Sequence, residues 1–276
     1  MFGEYRPEDL KRVKEIELEI LIEFIRICEK HDLKYFAYGG TAIGAVRHKG
    51  FIPWDDDVDV AMVRDEYEKF ISIAMKELGE EYELTAGNIQ MDCSAVFARI
   101  SKKGTLHITE QENRWKRKHG IRIDIFPMDF VPEDKQEFKK MISKVRFWRG
   151  LYIIKNIRNP LFENGGWKDK AIRTACFIMH YLLKLVPVKF IVKKMMDSYR
   201  AYEGKSTLVD CLDDNYPEKW VCSLDDIYPL KKGEFEGVSI SLMHRNHEML
   251  VKGYGDYMEL PPESERENHY QGFLEF

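Results

Sequence analysis

The sequence predicts an α/β protein of the α+β kind, with a mixed β-sheet flanked by helices and a basic helical insertion. Three observations predict it. A helix-period apolar stretch at residues 8–31 is followed by a short aromatic strand. Two further segments, 57–62 and 121–126, alternate as strands do and carry aspartates. Lys135 to Arg200 holds 16 Lys and Arg against 4 Asp and Glu, in a chain whose net charge is −4.

The 276 residues suit one large domain, or a catalytic core with a smaller appended part. Hydrophobic residues at 44% and charged residues at 33% describe a folded chain rather than a disordered one. Five cysteines with no CxxC pair argue against a disulfide framework and for a reducing compartment. Cys211, Cys222, His244 and His247 match no common zinc spacing. The N-terminal residues lack the apolar run of a signal peptide. The most apolar stretch, Ala171 to Val192, is broken by Arg173, His180, Lys184, Pro187 and Lys189, short of a membrane span. A cytoplasmic protein is expected. Its expected organisation is a catalytic core over 1–134, a basic helical cap over 135–205, and a segment at 206–276 that packs back on the core.

In chain order, Leu10, Val13, Ile16, Ile20, Phe24 and Ile27 recur at helical spacing. Residues 34–38 read as a buried strand ended by Gly39-Gly40. Thr41 is the expected N-cap of a short helix through His48. Residues 57–62 form the next strand, and 64–78 a helix. Strands are expected at 94–100 and 121–126, with a polar loop or ribbon over 105–118. Helices are expected at 134–155 and 168–203, separated by a Pro/Gly/Asn-rich break. Beyond 204 only short strands, near 220–223 and 238–240, and a helix at 245–252 stand out.

The run Trp54-Asp-Asp-Asp-Val-Asp-Val60 carries the chemistry. Along a strand Asp55, Asp57 and Asp59 share one face, Asp56 points the other way toward a turn or solvent, and Val58 and Val60 face the core. Same-face neighbours lie about 7 Å apart, close enough to hold one or two Mg2+ (or Mn2+) ions. The alternative, a solvated acidic turn, fits poorly beside the apolar Trp54, Val58, Val60 and Met62.

Gly39-Gly40-Thr41 sits between a strand and a helix, where backbone N–H groups can approach a phosphate. The order strand, Gly-Gly, helix, Asp-x-Asp strand suits a nucleotidyltransferase-type site. Arg47 and Lys49 follow as candidate phosphate contacts, or as exposed residues at a helix C-terminus. Asp124 lies against propensity inside a β-branched strand. It is a candidate third metal ligand or the base for an acceptor hydroxyl, the alternative being an ion pair with Arg122 or another arginine. Asp129, past Pro127, reads as a turn residue.

These residues resemble the LicD family, which includes phosphorylcholine transferases and is related to the fukutin proteins. Three segments carry the resemblance: residues 39–60, residues 121–129, and Tyr254 to Pro262 followed by Arg266 and His269. The resemblance implies a nucleotidyltransferase-like fold. It implies metal-dependent transfer of a phospho-alcohol, such as phosphocholine from CDP-choline, to a glycan hydroxyl with release of CMP. The acceptor would be a teichoic acid, lipopolysaccharide or capsule precursor. It also implies Asp57 and Asp59 as the Asp-x-Asp pair, Asp124 as the third acidic position, Gly39 and Gly40 as the phosphate turn, and Asp55 as an added carboxylate. Tyr254 and Tyr257 offer ring faces to a base or a quaternary ammonium, or else pack the C-terminal turn on the core. Arg266 and His269 are further candidates for the substrate site.

Two enzymatic alternatives stay open: a nucleotidyltransferase that leaves NMP on its acceptor, and a CDP-glycerol- or CDP-ribitol-dependent phosphotransferase. A metal- or glycan-binding protein without catalysis is the third. The basic stretch at 135–200 predicts a helical cap whose outer face meets a lipid-linked acceptor and the inner face of the plasma membrane. No nucleic-acid recognition motif accompanies the charge, so a nucleic-acid partner is not expected.

Overall fold

The computed structural model describes residues 5–86, 96–108, 112–113, 118–158, 167–214, 216–266, 268 and 272–276. The first helix, α1 (Pro7–Lys30), starts on Pro7 with Glu8 and Asp9 in its first turn, as helix electrostatics favour. Val13, Ile20, Leu21, Phe24 and Ile27 form its buried stripe. The expected strand follows as β1 (Phe36–Ala37). Helix α2 then begins at Gly39 (Gly39–Ile43) and widens into a π-helical turn, Gly44–His48. It therefore starts two residues before the expected cap. Thr41 does not cap it; its hydroxyl accepts the backbone N–H of Asp59 at 2.8 Å instead.

The strand β2 (Asp59–Val63) leads into α3 (Arg64–Glu77). A strand not read from the sequence, β3 (Tyr82–Thr85), comes next, then β4 (Ala98–Lys102), β5 (Leu106–Ile108) and β6 (Arg122–Phe130). The sheet order is β1-β2-β6-β4-β3, with β2 and β6 parallel and the other pairs along this path antiparallel, so the sheet is mixed as expected. Pro127 sits inside β6 without breaking it. Asp124 donates its N–H toward β2, so alternate residues direct theirs to the opposite side, where β4 pairing ends at Ile125. The missing donor of Pro127 falls on that vacated side.

Residues of β2 alternate cleanly between two cores. Val60 and Met62 join α1 and α3 in one apolar cluster, and Ala61 and Val63 face a second with Phe36, Met128 and Trp220. Ile123 and Ile125 share the first side, and Met128 the second. Asp59 and Asp124 therefore stand together on the second face, at its edge.

Helices α4 (Lys135–Asn156), α5 (Trp167–Leu183) and α6 (Val188–Tyr199) follow. Asp134 caps α4 by accepting the N–H groups of Gln136 and Glu137. The single helix expected over 168–203 is two helices bent by 112°, because Pro187 cannot continue α5. Buried residues of α4 and α6 share a third apolar cluster that includes Val145, Tyr152, Ile191, Met195 and Tyr199. Among the described residues, no single helix is long and apolar enough to cross a membrane.

The remainder is more regular than the sequence suggests. Strands β7 (Leu208–Asp210) and β8 (Cys222–Ser223) extend the sheet from β6. A short helix, α7 (Leu224–Ile227), precedes a hairpin of β9 (Lys231–Phe235) and β10 (Val238–Leu242). Helix α8 (Asn246–Tyr254) and β11 (Phe273–Glu275), which pairs with β5, end the chain.

Asp129 is not a turn residue. It lies in β6, buried, and receives the Arg64 guanidinium on both oxygens at 2.7 and 2.5 Å. Opposite it in register is Asp210 of β7. Burial, reinforced by Asp214, pushes the Asp210 carboxyl up to about 8. With its folded value above its unfolded one, Asp210 contributes stability below about pH 4, and the contribution is lost as pH rises through about 8. The melting temperature is expected to fall between about pH 4 and about pH 8 and to level off above it. Asp210→Asn should flatten that fall, and melting curves of both proteins across the pH range test it.

Candidate functional site

Three strands line up one side chain each. Asp59 on β2 is in register with Asp124 on β6, which is in register with Arg99 on β4. Neighbouring strands lie about 4.8 Å apart, so the two carboxylates and the guanidinium form a row across the sheet. Arg99 donates its Nε–H to Asp124 at 3.1 Å. Arg122 stands 3.9 Å from the same carboxylate, and Glu112 lies between the two arginines at 3.9 and 3.6 Å. The ion pair expected as the alternative for Asp124 is thus present, and it orients the carboxylate beside Asp59.

The glycine turn closes on this row. Gly39 adopts φ +53°, and a Cβ there would lie 3.5 Å from both Asp59 Oδ2 and the Tyr254 hydroxyl. A Cβ on Gly40 would lie 2.6 Å from Asp55 Oδ2. The two glycines therefore let the backbone at the start of α2 meet two carboxylates of the acidic segment. Gly40→Ala should push the Asp55 carboxylate aside. Because misplacements near 1 Å cost on the order of a hundredfold in rate, turnover should fall about that much while the melting temperature changes little.

Asp55 and Asp57 precede the regular strand. Asp57 lines an open cavity with Glu17, Asp56, His107, Arg122 and Asp124. Asp56, expected to face a turn or solvent, meets protein instead and borders the same cavity. It is 1% exposed and accepts the Tyr5 hydroxyl at 2.6 Å. Tyr5 also meets His107 Nε2, and burial together with Arg122 lowers the His107 imidazole to about 4.

Negative charge is poorly compensated here. Burial raises the Asp59 carboxyl well above its ordinary range, and Asp57, Asp124 and Asp55 raise it further against the opposing pull of Arg99. Glu17 from α1 is 1% exposed and its Oε2 has no hydrogen-bond partner. Burial, then Asp57, Asp56 and Asp55, push it the same way. The donor set is all carboxylate oxygen, which suits a hard divalent cation such as Mg2+. Among the described residues, no three such side chains are already drawn to one coordination point. The residues fit a cation by charge and donor type, with the buried Asp59 and Glu17 as the groups it would relieve.

The other expected residues divide. Tyr254 belongs to the site: its hydroxyl is raised by burial and then by Asp59, and its ring meets Trp220 edge-on at 5.2 Å. Tyr257 does not. It is buried, its hydroxyl meets His247 Nδ1 at 2.9 Å, and its carbonyl accepts from Arg47. Arg47 also donates to the Glu259 carbonyl at 3.3 Å, so it fastens the segment after α8 to the π-helical turn. Lys49 faces solvent beside Glu234 at 3.6 Å. Arg266 lies over the Trp54 ring at 4.8 Å and donates to the Pro261 carbonyl. His269 lies outside the described residues.

Sequence reasoning missed Arg99, Glu112 and Glu17, and had Arg122 only as an ion-pair alternative for Asp124. Glu17 carried a faint signal, being an acidic residue close to the apolar stripe of α1, between Val13 and Ile20. Arg122 was visible as the same-face neighbour of Asp124. Arg99 and Glu112 gave none, because their roles depend on strand pairing and on a fold contact.

Comparison with known proteins adds relatives. The family model described as "LicD/FKTN/FKRP, nucleotidyltransferase domain" matches residues 32–163. Lipopolysaccharide cholinephosphotransferase LicD of Haemophilus influenzae is 33% identical over 261 residues, which is 92% of each chain. An uncharacterized protein of Rickettsia typhi is 38% identical over 66 residues, covering 23% of this chain and 21% of its own.

Proposed function

The chain belongs to the LicD family, and from that premise we propose that it transfers phosphocholine from CDP-choline to a hydroxyl of a lipopolysaccharide-like glycan, releasing CMP. The observation that carries the reading is the approach of Asp59 and Asp55 to the Gly39-Gly40 turn, with Asp124 in register beside Asp59. End-to-end similarity to a cholinephosphotransferase supports the choice of transferred group.

In this reading Asp57 and Asp59, with Asp55 and Asp124, hold Mg2+ or Mn2+. The bound metal would supply neutralising charge to the donor pyrophosphate. The N–H groups of the Gly39-Gly40 turn bind phosphate oxygens, since the glycines leave the backbone uncovered. Arg99 orients Asp124, which is placed to accept the proton of the acceptor hydroxyl. Tyr254 closes the turn from above and offers its ring beside Asp59 to the donor's alcohol. A lipid-linked glycan precursor, teichoic acid or capsule included, is the acceptor class, met at the inner face of the plasma membrane.

A donor panel tests the proposal. Purified protein with Mg2+ should release CMP from CDP-choline in preference to CDP-glycerol and CDP-ribitol. Release from either of the latter alone would reassign the alcohol. Pyrophosphate release from nucleoside triphosphates would point to a nucleotidyltransferase, and no turnover of any donor to a binding protein.

A further inference from the structure

Helix α5 is a helix with almost no interior. Of its described residues only His180 and Leu183 are buried; His180 Nδ1 lies 2.7 Å from the Ile154 carbonyl of α4. A water-exposed helix ordinarily turns polar residues outward, and short helices gain most of their stability from a packed apolar face. Here the outward stripe is apolar. Ala171, Ala175, Ile178 and Leu182, with Leu185 in the following turn, recur at spacings of four and three residues. Ile178, Leu182 and Leu185 are 54%, 54% and 84% exposed. Phe177 and Tyr181 widen the stripe, and Phe190 at the start of α6 adds to it.

Charge frames this surface. From Thr174 to Leu183 there is no Lys, Arg, Asp or Glu, while Lys168, Lys170 and Arg173 precede the stretch and Lys184 and Lys189 follow it. Residues 167–199 carry seven Lys and Arg against two Asp. Ten residues of helix span about 15 Å, half the apolar thickness of a bilayer, so the stretch lies in an interface rather than across it. One face of α6 is packed on α4 through Ile191 and Met195, which keeps α6 on the protein side.

We propose that α5 and the turn after it form an interfacial anchor, which seats Ile178, Leu182 and Leu185 in the acyl boundary of an anionic lipid surface while the flanking lysines meet headgroup phosphates. This narrows membrane contact from the whole basic stretch to one element, and its driving force to apolar area as well as charge. A second copy of this chain is the poorer occupant, because two such surfaces would bring like charges together. The inference rests on the packing of α5 and not on the transfer reaction.

Vesicle co-sedimentation of the full chain tests it. Wild type should pellet with phosphatidylglycerol–phosphatidylcholine vesicles and more weakly with phosphatidylcholine alone. Ile178→Gln, Leu182→Gln and Leu185→Gln together should weaken binding about a hundredfold or more with an unchanged melting temperature, since none of the three is in a core cluster. Lys184→Gln with Lys189→Gln should reduce the preference for anionic vesicles. Wild type left in the supernatant, or a triple variant that binds equally well, would overturn the proposal. So would a wild-type dimer in solution that the triple variant dissociates, because the surface would then belong to a second copy.

Discussion

Asp59→Asn should abolish CMP release, by about a thousandfold or more, in a protein that melts no lower than wild type. Asp59 is buried among Asp57, Asp124 and Asp55, and its ionisation is opposed by burial first and by those neighbours next. Its folded value lies above its unfolded value, so above the ordinary carboxylate range the residue costs folding free energy. Asn keeps the shape and removes the charge. In metal-free buffer the variant should therefore match or exceed the wild-type melting temperature. Added Mg2+ should raise melting of wild type and leave the variant unmoved, because binding to the folded state alone stabilises it. Loss of activity together with a lower metal-free melting temperature would mean that Asp59 serves the fold and not the site.

The largest stability effect is expected at Arg64. Its guanidinium grips both oxygens of Asp129 in β6 and lies over the rings of Tyr67 and Tyr199, at 5.1 and 5.6 Å. Burial pushes the Asp129 carboxyl up to about 6, against the opposing pull of Arg64. Arg64→Met leaves that carboxylate buried without its cation, which costs about 3–5 kcal/mol. For a chain of this size the melting temperature should drop by roughly 10 °C. Adding Asp129→Leu should recover much of the loss, since replacing both members of a buried pair costs far less than removing one. A double variant no more stable than Arg64→Met would contradict this account.

The acidic strand and the glycine turn were legible because their chemistry is local. Alternation put Asp59 on one face of its strand and Asp124 on one face of a second, and register brings the two together; Asp55, Asp56 and Asp57 precede the strand, where alternation does not sort them. The fate of Asp56 was not legible: Tyr5, from a distant segment, gives it a buried partner and in turn meets His107. The same holds for Asp129, read as a turn residue because Pro127 precedes it. The strand continues since β4 has already ended on the side that the proline leaves without a donor. Thr41 looked like a helix cap from its type, but strand β2 takes its hydroxyl. Arg47 and Tyr257, both expected at the substrate, hold one another across 210 residues, a contact no local pattern encodes. The membership of the family was visible in residues 39–60 before any geometry, because Gly39, Gly40 and the aspartates that the fold brings together lie within 22 residues of sequence.

The most direct test of the central claim follows the phosphorus. Purified protein is incubated with CDP-choline, Mg2+ and a lipopolysaccharide acceptor, and the acceptor is weighed by mass spectrometry while free nucleotide is quantified. The account predicts an acceptor heavier by one phosphocholine group and one CMP released for each group added. An acceptor carrying CMP, or one left unmodified while the donor is consumed, would contradict it.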